Sequence, residues 1–133
     1  MKVAVVGSRR YNNRKKIKEF IYMCIQEFGK DVTIISGGCR QGADYLAKKY
    51  ALELGAQYEE YPPFHDVHNL YCVLPENCYG KEYNVRYFFV RNKQIAKACD
   101  RMAAFVQNGE NSPGTLSTLK YAKQYNKRVM VID

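Results

Sequence analysis

No stretch of this 133-residue chain is apolar over the roughly 20 residues that a bilayer-spanning helix needs. Met1-Lys2 passes directly into Val3-Ala4-Val5-Val6-Gly7, an apolar run too short for a signal peptide. A cytoplasmic protein with no membrane partner is therefore expected. Histidine is scarce, with two in the whole chain, and the five cysteines stand at 24, 39, 72, 78 and 99. An odd number without metal-site rhythm argues against a disulfide framework and against structural zinc. Cys72 and Cys78 have no matching second pair, and neither histidine completes a set. Reduced thiols, no metal and no cofactor are the expectation. Internal repeats and a disordered tail are absent as well. The first loop is no dinucleotide fingerprint, because Gly7 is followed by Ser8-Arg9-Arg10 rather than by two more spaced glycines. It is no Walker-type loop either, since no Gly-Lys-Ser/Thr follows the second apolar run.

What remains is an ordinary globular composition, 47% apolar and 26% charged, long enough for one domain over 1–133 with its own core. The formal net charge of +8 is unevenly placed. Basic side chains outnumber acidic ones in 1–50 and are outnumbered in 51–100. Arg9, Arg10, Arg14, Lys15, Lys16 and Lys18 fall together. Such a cluster favours an anionic partner; the plainer alternative is a solvated face.

The chain is organised around Ile34-Ile35-Ser36-Gly37-Gly38-Cys39-Arg40-Gln41-Gly42-Ala43-Asp44. An apolar strand runs into small residues, and Ala43, Leu46, Ala47, Tyr50, Ala51 and Leu54 then form one stripe of period 3.6. Glycines let the backbone approach a ligand closely, and the free N–H groups of a helix's first turn suit an anion. The other elements follow from the same patterns. Strands are expected at 2–6, 32–36, 58–61, 102–106 and 128–132. Helices are expected at 14–28, after the Gly37-Gly38 turn to about Gly55, at 86–98 and at about 114–125. Glu59 and Glu60 mark the third strand as an edge. Residues 62–85 read as an irregular excursion lying over the sheet. This alternation predicts an α/β Rossmann-like three-layer sandwich with a mainly parallel five-stranded sheet. Right-handed crossovers and a reversal beside the first strand place three strand ends around one crevice.

Three strand-to-helix junctions supply the candidate ligand-binding residues. Gly7, Ser8 and Arg9 suit phosphate recognition or form a plain loop. Gly37, Gly38, Arg40 and Gly42 form the second junction, with tight helix–strand packing as the alternative. Asp44 there either caps its helix, braces the loop or accepts a ribose hydroxyl. Asn111-Ser112-Pro113-Gly114-Thr115 forms the third, where Ser112, Gly114 and Thr115 either grip phosphate or start the last helix. Arg91 and Asn92 border the crevice, and Arg91 either reaches substrate or forms a surface ion pair. Tyr61, Phe64 and Tyr71 either stack on a base or pack the excursion down. His65 and His68 lack a carboxylate partner apart from Asp66, and a surface position is the plainer reading.

Val5-Val6-Gly7-Ser8-Arg9, Ile35-Ser36-Gly37-Gly38-Cys39-Arg40-Gln41-Gly42-Ala43-Asp44, Arg91-Asn92-Lys93 and Pro113-Gly114-Thr115 together resemble the SLOG superfamily. That group is named after the Smf/DNA-processing protein A and the LOG cytokinin-activating enzymes. The chain is most similar to its small single-domain branch from bacteria and phages. The resemblance implies a Rossmann-like fold that binds nucleotides or nucleotide-derived ligands. LOG enzymes cleave the N-glycosidic bond of a nucleoside monophosphate with an arginine from the helix before the fourth strand and a glutamate after the Gly-Thr. Arg91 matches the arginine, but Thr118 stands at the glutamate's position, and Ser112-Pro113 replaces a doubled glycine. A hydroxyl cannot act as a carboxylate base. A nucleotide-like phosphorylated small molecule, bound for sensing or sequestration, is thus the first expectation. The alternatives are a nucleoside-monophosphate hydrolase-like enzyme, a single-stranded nucleic-acid binder, and a homo-oligomeric assembly. Were it an enzyme, the catalytic candidates are Arg91 and Asp44, with His65 and Glu110 as weaker bases. Asp44 is expected to have a low pKa, since a helix start favours a carboxylate.

Overall fold

The computed structural model describes residues 1–107 and 112–133. Five strands and four helices alternate: β1 (Lys2–Gly7), α1 (Arg14–Phe28), β2 (Thr33–Ser36), α2 (Gly42–Leu54), β3 (Gln57–Glu60), α3 (Arg86–Ala98), β4 (Arg101–Phe105), α4 (Pro113–Gln124) and β5 (Arg128–Ile132). All neighbouring strands are parallel, in the order β3-β2-β1-β4-β5. The expected three-layer α/β sandwich is what forms, with strand boundaries displaced by a residue or so.

The strands owe their place to uninterrupted apolar runs. Val3 to Val6 of β1 are buried on both faces, as a central parallel strand requires. On one face α1 and α2 bury Ile17, Ile21, Cys24, Leu46, Ala47 and Tyr50 against Val3, Val5, Ile34 and Phe105. On the other, Ile95 and Ala96 of α3 and Leu119 and Ala122 of α4 pack on Ala4, Val6, Ile35, Met102 and Ala104. Each fully buried Ile or Leu contributes about 1.5–3 kcal/mol relative to exposure.

The helix ends are chemically marked. Asn13 Oδ1 caps α1 by accepting from the Lys16 N–H. Gly55, in the left-handed conformation, ends α2 by donating to the Ala51 and Leu52 carbonyls. Ser112 caps α4, and Pro113 opens it. No helix among the described residues is long and apolar enough to cross a membrane.

The excursion after β3 pairs with the end of that strand. The Glu60 N–H donates to the Tyr71 carbonyl at 3.0 Å, and the Val73 N–H donates to the Glu60 carbonyl at 3.3 Å. Glu60 ends an edge strand, yet its side chain is only 2% exposed. Its carboxylate accepts from the Tyr58 hydroxyl at 2.9 Å and from Asn69 Nδ2, and pairs with Lys48 Nζ at 3.2 Å. Those partners make burial of the charge tolerable and pin the excursion to the sheet.

Candidate functional site

The strand order reverses between β1 and its neighbours β2 and β4, so the loops leaving their C-terminal ends diverge. A crevice of about 740 Å³ opens there, within the usual size of a small-molecule site. The β1 loop, the β2 loop, the start of α4 and one side of α3 line it.

In the β1 loop the Ser8 hydroxyl accepts from the Arg10 N–H at 2.9 Å, and the Ser8 carbonyl accepts from the Tyr11 N–H at 3.2 Å. The Tyr11 ring is buried edge-on against Phe105, 5.7 Å between centroids. This anchored turn leaves Arg9 and Arg10 exposed at the crevice. Gly7 is required by packing: a Cβ there would lie 2.7 Å from Ala43 Cβ and 2.8 Å from the Phe105 carbonyl oxygen.

The β2 junction differs from an open anion cradle. Asp44 Oδ2 accepts from the Cys39 N–H at 3.2 Å, and the Gly37 N–H also favours the charge on this carboxylate. The Ala43 N–H at the start of α2 donates to the Ser8 carbonyl at 3.2 Å. Asp44 therefore braces the loop as an internal anion, while Gln41 holds the cap position without a side-chain bond. The low pKa expected for Asp44 is corrected too. Burial pushes its carboxyl up from the ordinary value, and this outweighs the pull of the Arg91 guanidinium and the Cys39 and Gly37 N–H groups, while Glu60 adds to the rise.

Of the remaining residues expected at this junction, Gly37 lies on the crevice floor, where a Cβ would run into the Arg91 guanidinium. Gly38 and Gly42 sit behind the wall. Gly42, at φ +72°, accommodates the backbone of Ser8 and Arg9, and Gly38, at φ +77°, lies against Glu60. Arg40 is exposed and outside the crevice lining.

At the third junction Ser112 Oγ accepts from the Thr115 N–H at 3.2 Å and shares a 2.8 Å hydrogen bond with Thr115 Oγ1. Ser112, Gly114 and Thr115 all line the crevice. Thr118 lines it too, its hydroxyl donating to the Gly114 carbonyl at 2.9 Å. Asn111 and Glu110 lie outside the described residues.

Helix α3 joins these parts. Arg91 donates through Nη1 to the Gly37 carbonyl at 2.8 Å and through Nε to Asn92 Oδ1 at 3.0 Å. Asn92 Nδ2 in turn reaches the Gly114 carbonyl at 3.5 Å. One polar thread thus runs from the β2 loop to the start of α4. Phe88, one turn before Arg91, sits between two cations: the Arg9 guanidinium is 5.6 Å and that of Arg91 5.8 Å from its ring centre. With Phe89, Phe88 forms the aromatic wall of the crevice. Sequence reasoning missed this wall, although Phe88, Arg91, Asn92 and Ile95 share one helical face by spacing.

The aromatic residues of the excursion take their plainer alternative. Tyr61 is buried in the core. Phe64 packs against Tyr79 and Tyr87, and Tyr71 against Tyr58. None lines the crevice. His65 stands behind the wall, 5.0 Å from Phe88 and 4.7 Å from Tyr83 between ring centres, and His68 lies beside Tyr79. Among the described residues no group of three or more potential metal ligands exists. Asp44 is the single acidic side chain lining the crevice among them.

The sequence model of the DNA recombination-mediator protein A family matches residues 1–133. The chain belongs to this family. Solved structures share its fold. DNA processing protein A from Helicobacter pylori, described for its single-stranded DNA binding mode, superposes with a TM-score of 0.70 at 20% identity. That match covers 98% of this chain and 64% of the other, so this chain spans under two thirds of that relative's length. A molybdenum cofactor binding protein from Rippkaea orientalis gives a TM-score of 0.74 at 17% identity, covering 98% and 74%. The molybdenum cofactor carrier protein from Chlamydomonas reinhardtii gives 0.67 at 18%, covering 98% and 74%. No curated protein matches the sequence.

Proposed function

We propose that the crevice binds a nucleotide or nucleotide-derived phosphorylated small molecule, for sensing or sequestration in the cytoplasm, as in a small single-domain SLOG protein. One observation carries this reading: Arg9, Arg10 and Arg91 surround the crevice, and its single described carboxylate, Asp44, is already held by loop N–H groups. An incoming phosphate meets cations and the start of α4, with Ser112, Gly114 and Thr115 at hand. Phe88 and Phe89 offer an apolar wall to a base or another flat ring. Calorimetric titration of the purified chain against a nucleotide library tests it. Saturable binding that weakens in Arg9→Ala supports the reading, and no binding at millimolar ligand defeats it.

A second reading, single-stranded nucleic acid, is favoured by the family and by the single-stranded DNA binding mode of the Helicobacter pylori relative. Arg9, Arg10 and Arg14 are exposed, while Lys15 and Lys18 face Glu19 and Glu53. Fluorescence anisotropy on labelled single strands decides it, since real backbone contacts make affinity fall steeply with salt. A hydrolase finds less support. The Thr118 hydroxyl, at the position of the LOG glutamate, is committed to the Gly114 carbonyl.

A further inference from the structure

Glu60 closes β3 with an ionisable side chain that is buried yet lines no part of the crevice. A buried ion pair is seldom more stabilising than apolar residues of the same volume. Stability alone therefore does not account for a glutamate here; its position does. The two carboxylate oxygens reach different parts of the chain. Oε1 accepts from the Tyr58 hydroxyl of β3 at 2.9 Å and pairs with Lys48 Nζ of α2 at 3.2 Å. Oε2 accepts from Asn69 Nδ2 of the excursion. Asn69 Oδ1 in turn accepts from the Tyr71 N–H at 2.8 Å, and the Lys48 ammonium lies 4.9 Å from the Tyr71 ring centre. Asn69 and Lys48 thus both fasten the excursion to Glu60.

The other side of Glu60 supports the crevice. Gly37 and Cys39 line the crevice, whereas Gly38 between them lies against Glu60. A Cβ at Gly38 would stand 2.7 Å from Glu60 Cδ and 2.8 Å from its Cγ, so the turn rests directly on the glutamate stem. A second contact runs through Ser36, the residue before Gly37. The Tyr58 hydroxyl gives its proton to Glu60 and so accepts from the Ser36 hydroxyl, and Ser36 is fully buried. From the crevice side, Arg91 Nη1 bonds the Gly37 carbonyl at 2.8 Å and Asp44 Oδ2 bonds the Cys39 N–H at 3.2 Å. The 37–39 turn is thus clamped between side chains at the crevice and a carboxylate that the excursion holds.

We infer that Glu60 is a positioning residue for the crevice: docking of the excursion, relayed through Glu60 to the 37–39 turn, sets the affinity for ligand. The effect on affinity rests on the binding reading above, whereas the link between excursion and turn is a property of the chain alone. Linkage makes the effect reciprocal. A ligand in the crevice tightens the excursion by the same factor by which the docked excursion tightens the ligand.

Hydrogen exchange of the full chain, read amide by amide, is the primary test. Asn69→Ala removes the bonds to Glu60 and to the Tyr71 N–H, at a position outside the crevice lining. The Val73 N–H, bonded to the Glu60 carbonyl, is expected to exchange at least about fivefold faster, the usual worth of one hydrogen bond. The Cys39 N–H, on the far side of Glu60, is expected to quicken as well. The Val106 N–H, bonded to the Ile132 carbonyl across the sheet, keeps its rate. Glu60→Gln retains the volume, loses the charge that Lys48 pairs with, and is expected to quicken the same two amides. A merely structural glutamate predicts faster exchange at Val73 alone. Calorimetry with AMP gives a second readout, with affinity at least about fivefold weaker in Asn69→Ala. Saturating AMP is expected to slow Val73 exchange in the wild type. An unchanged Cys39 rate in both variants, or an unchanged nucleotide affinity in Asn69→Ala, overturns the inference. A wild type that binds neither AMP nor any other nucleotide at millimolar concentration defeats the binding reading instead, and the Cys39 rate alone then decides the link.

Discussion

Arg91 Nη1 donates to the carbonyl oxygen of Gly37 at 2.8 Å, so a side chain of α3 closes the loop that leaves β2. The guanidinium thereby stands beside the half-buried Asp44 carboxyl and faces the crevice. It has structural work and, in the proposed reading, ligand-directed work at once. Its Nε bond to Asn92 fixes the plane of the fork.

Arg91→Ala should therefore lower both stability and affinity. Loss of charge-assisted bonds to Gly37 and Asn92 predicts a destabilisation of about 2 kcal/mol. Urea unfolding monitors it. Arg91→Lys is expected to recover little, because an ammonium cannot bond Gly37 and Asn92 in the geometry of the fork. Nucleotide affinity should fall at least about tenfold in the alanine variant, given the same range for charge-assisted bonds.

Asp44 predicts a pH dependence of defined sign. Burial raises its folded pKa above the value in the unfolded chain, which is about 3.9. Between the two values the folded state binds the extra proton. Its contribution to stability is thus fully present below the unfolded pKa and is lost as pH rises through the folded one. Asp44→Asn keeps an acceptor for the Cys39 N–H and cannot titrate. The stability of the wild type minus that of Asp44→Asn should fall as pH rises from about 4 through the raised folded value. Urea unfolding of both proteins at several pH values measures it, and a difference that rises with pH contradicts the assignment.

Two glycines separate strain from tolerance. At Gly42 the left-handed φ costs an alanine about 1–2 kcal/mol. Its Cβ would also strike the Ser8 and Arg9 backbone, which adds about 1–3 kcal/mol of overpacking. Gly42→Ala should therefore destabilise by about 3.5 kcal/mol, the middle of those ranges combined. At Gly114 no described residue lies within 4 Å of an added Cβ. Gly114→Ala should leave stability unchanged or raise it by up to about 1 kcal/mol. Thermal unfolding ranks the two.

Chemistry at the crevice should be at background. Release of free base from AMP, GMP, CMP and UMP, followed by chromatography, is expected to equal that of an Arg91→Ala control. The reason is the Thr118 hydroxyl, committed to the Gly114 carbonyl at the position where the resemblance to the LOG enzymes implies a glutamate. Release that the substitution abolishes would contradict the binding-only reading.

The sandwich was legible because its signals are local. Val3 to Val6 and Met102 to Phe105 are continuous apolar runs, and Ala43, Leu46, Ala47, Tyr50 and Ala51 mark one helical stripe that the sheet buries. The gathering of the Gly7, Gly37 and Gly114 junctions around one crevice followed from the alternation of elements and the handedness of parallel crossovers. Phe88 escaped notice because a phenylalanine on an amphipathic helix has no local mark of facing a ligand rather than the core.

What residues 1–133 determine by themselves is the order of strands and helices, the places where the chain must turn, and the excess of positive charge near the start. Whether a helix start is open or closed was decided only in three dimensions. The first N–H groups of α2 could have met an external phosphate, but the Ser8 carbonyl takes the Ala43 N–H there, and the Asp44 carboxylate takes the Cys39 N–H of the loop before it. The pKa of Asp44 turned on the same fact. A carboxylate at a helix start is stabilised when water also reaches it, and the loop packed round Asp44 strips part of that water. Hydrophobic period is a property of neighbours in sequence. The partner of a polar atom is a property of whatever the folded chain brings within about 3 Å of it.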